Sequence, residues 1–265
     1  MLVATSNIHA GVDGYGRRTG ALDATLDLGA DLLFVQELFV GAEDQAAAIE
    51  AAGYQRVAYE SLATCTRFTN ASGGKGWEPP LGLLSGDQGL YFDANRSLSP
   101  RRVAERDARQ GGQVGQWGVG LFTRHEILSV ELLPVRQLRR DKTGRTVIVA
   151  HLRNEVGREY RAVAIHGAHL SHGSLPQYRE IARELNTHDP LTPTILAGDF
   201  NCWRPLLRMV LPKWRSGVRA RTWPAWMPHS QIDHILLRGP WRVSEARAVR
   251  TGSDHRALVA QLDLA

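Results

Sequence analysis

The strongest constraint on this chain is a series of short apolar runs, of strand length, that end or begin on carboxylate, amide or imidazole side chains. Residues 2–8 carry Asn7 near their end, and residues 31–37 close on Gln36 and Glu37. Residues 160–166 are followed by His169, and residues 194–198 (TILAG) run into Asp199 and Asn201. Asp233 and His234 interrupt residues 231–237, and Asp254 and His255 open residues 256–262. Runs of this length bounded by turn residues read as buried strands. Further strands are predicted at 54–60, 88–93, 114–123, 127–134, 146–153 and 242–249. Helical spacing marks 17–28, 43–52 and 176–186, and residues 66–82 read as a loop from their Gly, Pro and Asn content.

The order is strand–helix units early, many strands, one more strand–helix unit, then strands. No repeat and no linker-like change of composition divides the 265 residues, so one domain over 1–265 is expected. With 43% hydrophobic and 22% charged residues, the composition excludes disordered, collagenous and coiled-coil chains. The predicted fold is α/β (α+β): a four-layer α-β-β-α sandwich of two mainly antiparallel sheets packed face to face, with helices outside.

If the strands are neighbours, their ends gather carboxylates, amides and imidazoles around one point. Oxygen ligands of that kind suit a hard cation. A carboxylate can take a proton from water, and hydrogen-bond donors can stabilise phosphoryl oxygens. The pieces S-N (6–7), Q-E (36–37), A-H-L (168–170), G-D-F-N (198–201), I-D-H-I (232–235) and S-D-H (253–255), in that order, resemble the endonuclease/exonuclease/phosphatase superfamily. That group includes exonuclease III, DNase I, neutral sphingomyelinases and inositol polyphosphate 5-phosphatases.

The resemblance implies a phosphoester hydrolase dependent on Mg²⁺ or Mn²⁺, in which water attacks in line with the leaving oxygen. It implies that Glu37, Asn7 and Asp254 sit at the metal and that Asp199 activates the water. Asn201 would hold the phosphate or that water, and His169 would bind a phosphate oxygen or assist the leaving group. His255 would touch the phosphoryl group with Asp233 as its carboxylate partner. A carboxylate on one imidazole nitrogen fixes the tautomer and favours the imidazolium, so the other nitrogen donates to an anion. Two departures stand out: Gly167-Ala168 replaces the family's usual Asn-Thr before the histidine, and no counterpart of the phosphate-facing tyrosine of abasic-site endonucleases is evident.

Other chemistries fit less well. His166 and His169 form H-x-x-H, but no second histidine pair or cysteine cluster supports zinc, and His166 reads as a strand residue. Ser253-Asp254-His255 cannot be a relay, because adjacent strand residues point to opposite faces. Residues 14–20 do not make a dinucleotide fingerprint. Cys65 and Cys202 read as free thiols of a reducing compartment. With no apolar run of membrane length and no leader pattern, a cytoplasmic chain is expected.

Charge is uneven. Residues 1–95 hold 5 basic and 12 acidic residues, 96–153 hold 12 and 5, and 154–265 hold 15 and 10. From Phe200 to Ile232 there is no acid, while six basic residues interleave with Trp203, Trp214, Trp223 and Trp226. Arg204, Trp223 and Trp226 are therefore candidates for substrate binding, as basic groups neutralise phosphates and aromatics stack on bases. The same mixture suits an anionic membrane surface, or a basic loop whose tryptophans cap the core. A second basic stretch spans 96–109. The expected partner is a phosphoester substrate, with nucleic acid ahead of membrane phospholipid or inositol phosphates, and no obligate protein partner. A non-catalytic phosphate-binding module is the alternative from another class.

Overall fold

The computed structural model describes residues 1–13, 17–68, 90–92, 112–141, 143–188 and 191–265. The basic stretch 96–109 and most of the loop expected at 66–82 lie outside them. The first sheet runs β12 (Trp241–Arg250), β13 (Arg256–Leu264), β1 (Leu2–Asn7), β2 (Leu32–Gly41), β5 (Gly112–Thr123), β3 (Gln55–Phe68) and β4 (Leu90–Phe92). The second runs β10 (Arg215–Ser216), β11 (Asp233–Arg238), β9 (Thr194–Asp199), β8 (Glu159–His166), β7 (Thr146–Arg153) and β6 (Glu126–Pro134). Only β1–β2 and β8–β9 pair in parallel among the described strands. Each of these pairs is joined through a helix, α1 (Ala21–Leu26) and α3 (Leu175–His188), as a parallel crossover requires.

Three apolar clusters make the layers. One lies between the sheets and draws on both, with Val3, Phe34 and Leu258 from the first and Ala164, Ala197 and Ile235 from the second. A second joins the outer face of the second sheet to α3 and to α4 (Arg204–Val210). The third joins the outer face of the first sheet to α1 and α2 (Gln45–Ala51). The expected sandwich is what the chain forms, and both cysteines are buried and outside any disulfide.

Element boundaries differ where local chemistry overrides periodicity. The helix expected at 17–28 starts only after Gly20, whose φ of 66° is left-handed. The one expected at 43–52 starts after Asp44, whose carboxylate accepts from the Ala47 amide at 2.9 Å and so caps it. β3 runs on to Phe68 because Ser61, Thr64 and their neighbours pair along β5, a contact that their polar side chains conceal in the sequence. Within 202–230 the short α4 and β10 were not foreseen.

Candidate active site

Side chains on a strand alternate faces, so residues two apart share one. Four strands carry an inter-sheet column that is apolar within the core and turns polar at one end. The columns are Val3–Thr5–Asn7 on β1, Ala162–Ala164–His166 on β8, Ile195–Ala197–Asp199 on β9 and Leu237–Ile235–Asp233 on β11. Asn7, His166, Asp199 and Asp233 are all buried. Register aligns the ends: His166 pairs with Asp199 across β8–β9, and Asp233 with Asp199 across β9–β11.

Glu37 arrives by a different route. On β2, Gln36 pairs with Val119 and Leu38 with Gly118, so Glu37 is the extra residue of a bulge. Its φ is 56°, a left-handed conformation that costs a non-glycine residue about 1–2 kcal/mol. The bulge also reverses the alternation. Leu32 and Phe34 face the inter-sheet core before it and Phe39 after it, while Leu33, Val35 and Leu38 face outward to α1 and α2.

Asn7 bridges the two carboxylates: its Nδ2 donates to Glu37 Oε1 at 3.0 Å and to Asp199 Oδ2 at 3.1 Å. Its Oδ1 accepts from the His9 amide at 3.1 Å. Asp199 Oδ1 accepts from the Asn201 amide at 2.7 Å, so both of its oxygens are held. Asn201, at a φ of 48°, donates through Nδ2 to the Gly167 carbonyl at 3.1 Å. Gly198 precedes Asp199 because any Cβ there would collide with the Ile165 carbonyl.

His255 Nδ1 meets Asp233 Oδ2 at 2.9 Å, and its Nε2 lies 4.0 Å from Asp199 Oδ2. Burial alone would lower its pKa, but Asp233, then Asp254 and Asp199, hold it well above the ordinary imidazole value. Asp233 thereby favours an imidazolium whose Nε2 side faces the cluster. For Asp254, burial works upward, but His255 and His9 hold its carboxyl below the usual range.

His166 was expected to be an ordinary strand residue and lies in the cluster instead. Its Nε2 is 3.7 Å from Asp199 Oδ2 and 3.9 Å from Glu37 Oε1, and its ring packs on Trp117 with centroids 5.0 Å apart. Burial first, then the charges of Arg145 and His255, push its pKa well below 6.5, which keeps the imidazole neutral. Arg145 donates to the His166 carbonyl at 2.9 Å and pairs with Asp141 at 2.8 Å. His169, the histidine expected to act, is exposed three residues beyond the strand, where Nδ1 contacts Ser171 Oγ at 2.6 Å. The column pattern holds the signal that finds His166: it is two residues after Ala164 on an inter-sheet face. His9, also unforeseen, follows β1 in a 3-10 turn, where it works against the burial that raises the Glu37 pKa and helps His255 hold Asp254 low.

Glu37, His166 and Asp199 offer ligand atoms within 4.8 Å of one another, as do Asp199, Asp233 and His255. The first set fits a divalent cation. Burial raises the pKa of both Glu37 and Asp199, so two carboxylates stand desolvated beside a neutral imidazole and an amide, without a cationic side chain in that set. A bound cation relieves that cost. Asn7 takes part as a donor to the carboxylates, with its oxygen turned away.

The basic segment divides. Trp214 is 7% exposed and caps the core against α4, whereas Trp203, Trp223 and Trp226 are 54%, 37% and 68% exposed. The Ala225 amide donates to the Asp254 carbonyl at 2.6 Å, and Trp223 is among the groups that hold the Asp254 carboxyl low, so Trp223 and the loop bearing Trp226 border the site. Arg204 begins α4, three residues after Asn201. Among the described residues no helix is long and apolar enough to cross a membrane.

A family model described as Endonuclease/Exonuclease/phosphatase family matches residues 4–255. Curated protein sequences contain no match. Among solved structures, an endonuclease/exonuclease/phosphatase family protein from Leptotrichia buccalis superposes with TM-score 0.67 at 13% identity, covering 100% of both chains. The human Nocturnin catalytic domain with bound sulfate gives 0.63 at 16%, covering 100% of this chain and 94% of that one. D. rerio TDP2 complexed with single strand DNA product gives 0.62 at 16%, covering 99% and 98%. At these identities the likeness is one of fold.

Proposed function

The chain belongs to the endonuclease/exonuclease/phosphatase family, and from that premise we propose that it is a divalent-metal-dependent phosphodiesterase acting on nucleic acid. Family membership supports a hydrolase of phosphoester bonds. The observation that carries the finer reading is the convergence of Asn7, Glu37, His166, Asp199, Asp233 and His255 at one end of the seam between the sheets.

In this reading Glu37, His166 and Asp199 would hold Mg²⁺ or Mn²⁺, with Asp254 adding negative charge nearby. Once bound, the cation supplies Lewis-acid polarisation of a phosphoryl oxygen. The protein's own groups do the rest. Asp199, fixed at both oxygens by Asn7 and Asn201, accepts a proton from the attacking water, and burial raises its pKa toward that task. His255, charged through Asp233, donates a hydrogen bond to a phosphoryl or leaving oxygen. Trp223 and Trp226 offer faces for stacking on bases.

The test is a Mg²⁺/Mn²⁺ activity panel on single- and double-stranded DNA, RNA, sphingomyelin, phosphatidylinositol and inositol phosphates, with Asp199→Ala as the blank. A nuclease weakens steeply as salt rises, through counterion release. A lipid phosphodiesterase instead needs an interface, and a small phosphomonoesterase shows neither behaviour. Turnover of no phosphoester, with no divalent cation bound, would return the chain to a binding module.

A further inference from the structure

Beyond the site, a cleft of about 230 Å³ lies between α4 and the edge strand β10. Its apolar lining includes Leu207, Trp214 and Leu236, and four guanidinium groups surround it: Arg204, Arg208, Arg215 and Arg219. Arg215 donates to the Trp241 carbonyl. Arg204, Arg208 and Arg219 have no ion pair or hydrogen bond among the described residues, and the cleft lining contains no carboxylate. The chain from Phe200 to Ile232 contains none either.

Arg204 and Arg208 stand four residues apart on one helix, where like charges repel, and Arg219 adds to them from beyond β10. Arg208 and Arg219 are exposed to water, which eases that repulsion, and an anion placed among the three would be attracted by each. Planar forked donors match phosphate bidentately. The apolar floor beside them, formed by what Leu207, Trp214 and Leu236 leave accessible, suits the edge of a ring, and the volume is too small for a ligand much larger than one phosphorylated unit.

We propose that this cleft is a second binding site, for a nucleotide unit: a phosphate held by Arg204, Arg208 and Arg219, with its base against the apolar lining. The nucleotide is either free or one residue of a strand. Leu236 lies three residues along β11 from Asp233 but on the other face of the sheet, so a strand held in the active site reaches the cleft only around the sheet end, where Arg204 begins α4 three residues after Asn201. The strand version rests on the nuclease reading, but the free-nucleotide version does not.

The experiment measures binding of AMP by calorimetry and of a labelled single-stranded oligonucleotide by anisotropy, without added divalent metal. It compares the full chain with an Arg208→Glu/Arg219→Glu variant checked by circular dichroism and melting temperature. Weakening of AMP binding by fivefold or more supports the cleft. A parallel loss for the oligonucleotide identifies a strand as the source, and loss for AMP alone identifies a free nucleotide. Loss for the oligonucleotide alone also supports the cleft, as a strand subsite. Less than fivefold change for both, or no binding of either by the unaltered chain, overturns it. So does lost binding to phosphatidylglycerol vesicles with nucleotide binding untouched. If the charge reversal does not fold, Arg208→Ala/Arg219→Ala is read by the same thresholds. A chain that cleaves no phosphoester but shows the AMP effect refutes the nuclease reading and leaves the cleft standing.

Discussion

Asp199 and Asp233 face each other in the β9–β11 ladder, so two carboxylates leave the same side of the sheet as direct cross-strand neighbours. Like charges so placed repel, and Asp233 contributes to the raised pKa of Asp199. His255 is bonded to Asp233 and lies 4.0 Å from Asp199.

Asp199→Asn removes the proton acceptor and half of that repulsion. Turnover of a chromogenic phosphodiester is expected to fall by ~10²–10⁴, the usual contribution of a general base, with the melting temperature unchanged or raised. Turnover above a tenth of the original refutes the role given to Asp199.

Asp233→Asn acts through His255. Because the folded pKa of His255 is raised, the pair's stabilisation is complete below about pH 6.5, the unfolded value, and is lost as pH rises through the folded value. In the variant, histidine NMR titration should show the His255 proton leaving at lower pH. The alkaline decline in stability expected of the parent should flatten. An unmoved His255 titration means the imidazolium has another source.

The two histidines of the β8 end give opposite expectations. His166→Ala removes one of the three groups proposed to hold the cation and should cost ~10–100-fold in turnover, whereas His169→Ala, at an exposed site, should stay within about threefold. Steady-state kinetics on both decide it, and the reverse order restores the assignment drawn from the A-H-L resemblance.

Removing divalent metal with EDTA should abolish hydrolysis, and Mn²⁺ or Mg²⁺ should raise the melting temperature. At a hundredfold excess over Kd the linkage is about 2.7 kcal/mol, or about 5–10 °C for a chain of this size. Glu37→Gln should lose most of that shift. An equal shift in the variant moves the cation elsewhere.

The sequence showed much of this because strand ends are chemically loud. Asn7, Glu37, Asp199, Asp233 and His255 interrupt apolar runs, and all five converge. What it concealed follows from physics as well. His166 sits inside an apolar run and differs from a core residue only by its place at the end of a column. His169 carries the motif letters, yet the chain has already left the strand. The reach of β3 beyond residue 60 and the pairing of β10 depend on partners distant in sequence, which no local pattern records.

The bulge on β2 implies one thing more. Drop Glu37, and Gln36 and Leu38 become consecutive opposite the consecutive Val119 and Gly118, and every later side chain keeps its present layer. The principal acidic group is thus an insertion into a ladder that is complete without it. A one-residue deletion there should give an inert protein that melts higher, because the scaffold closes without the residue proposed to hold the cation.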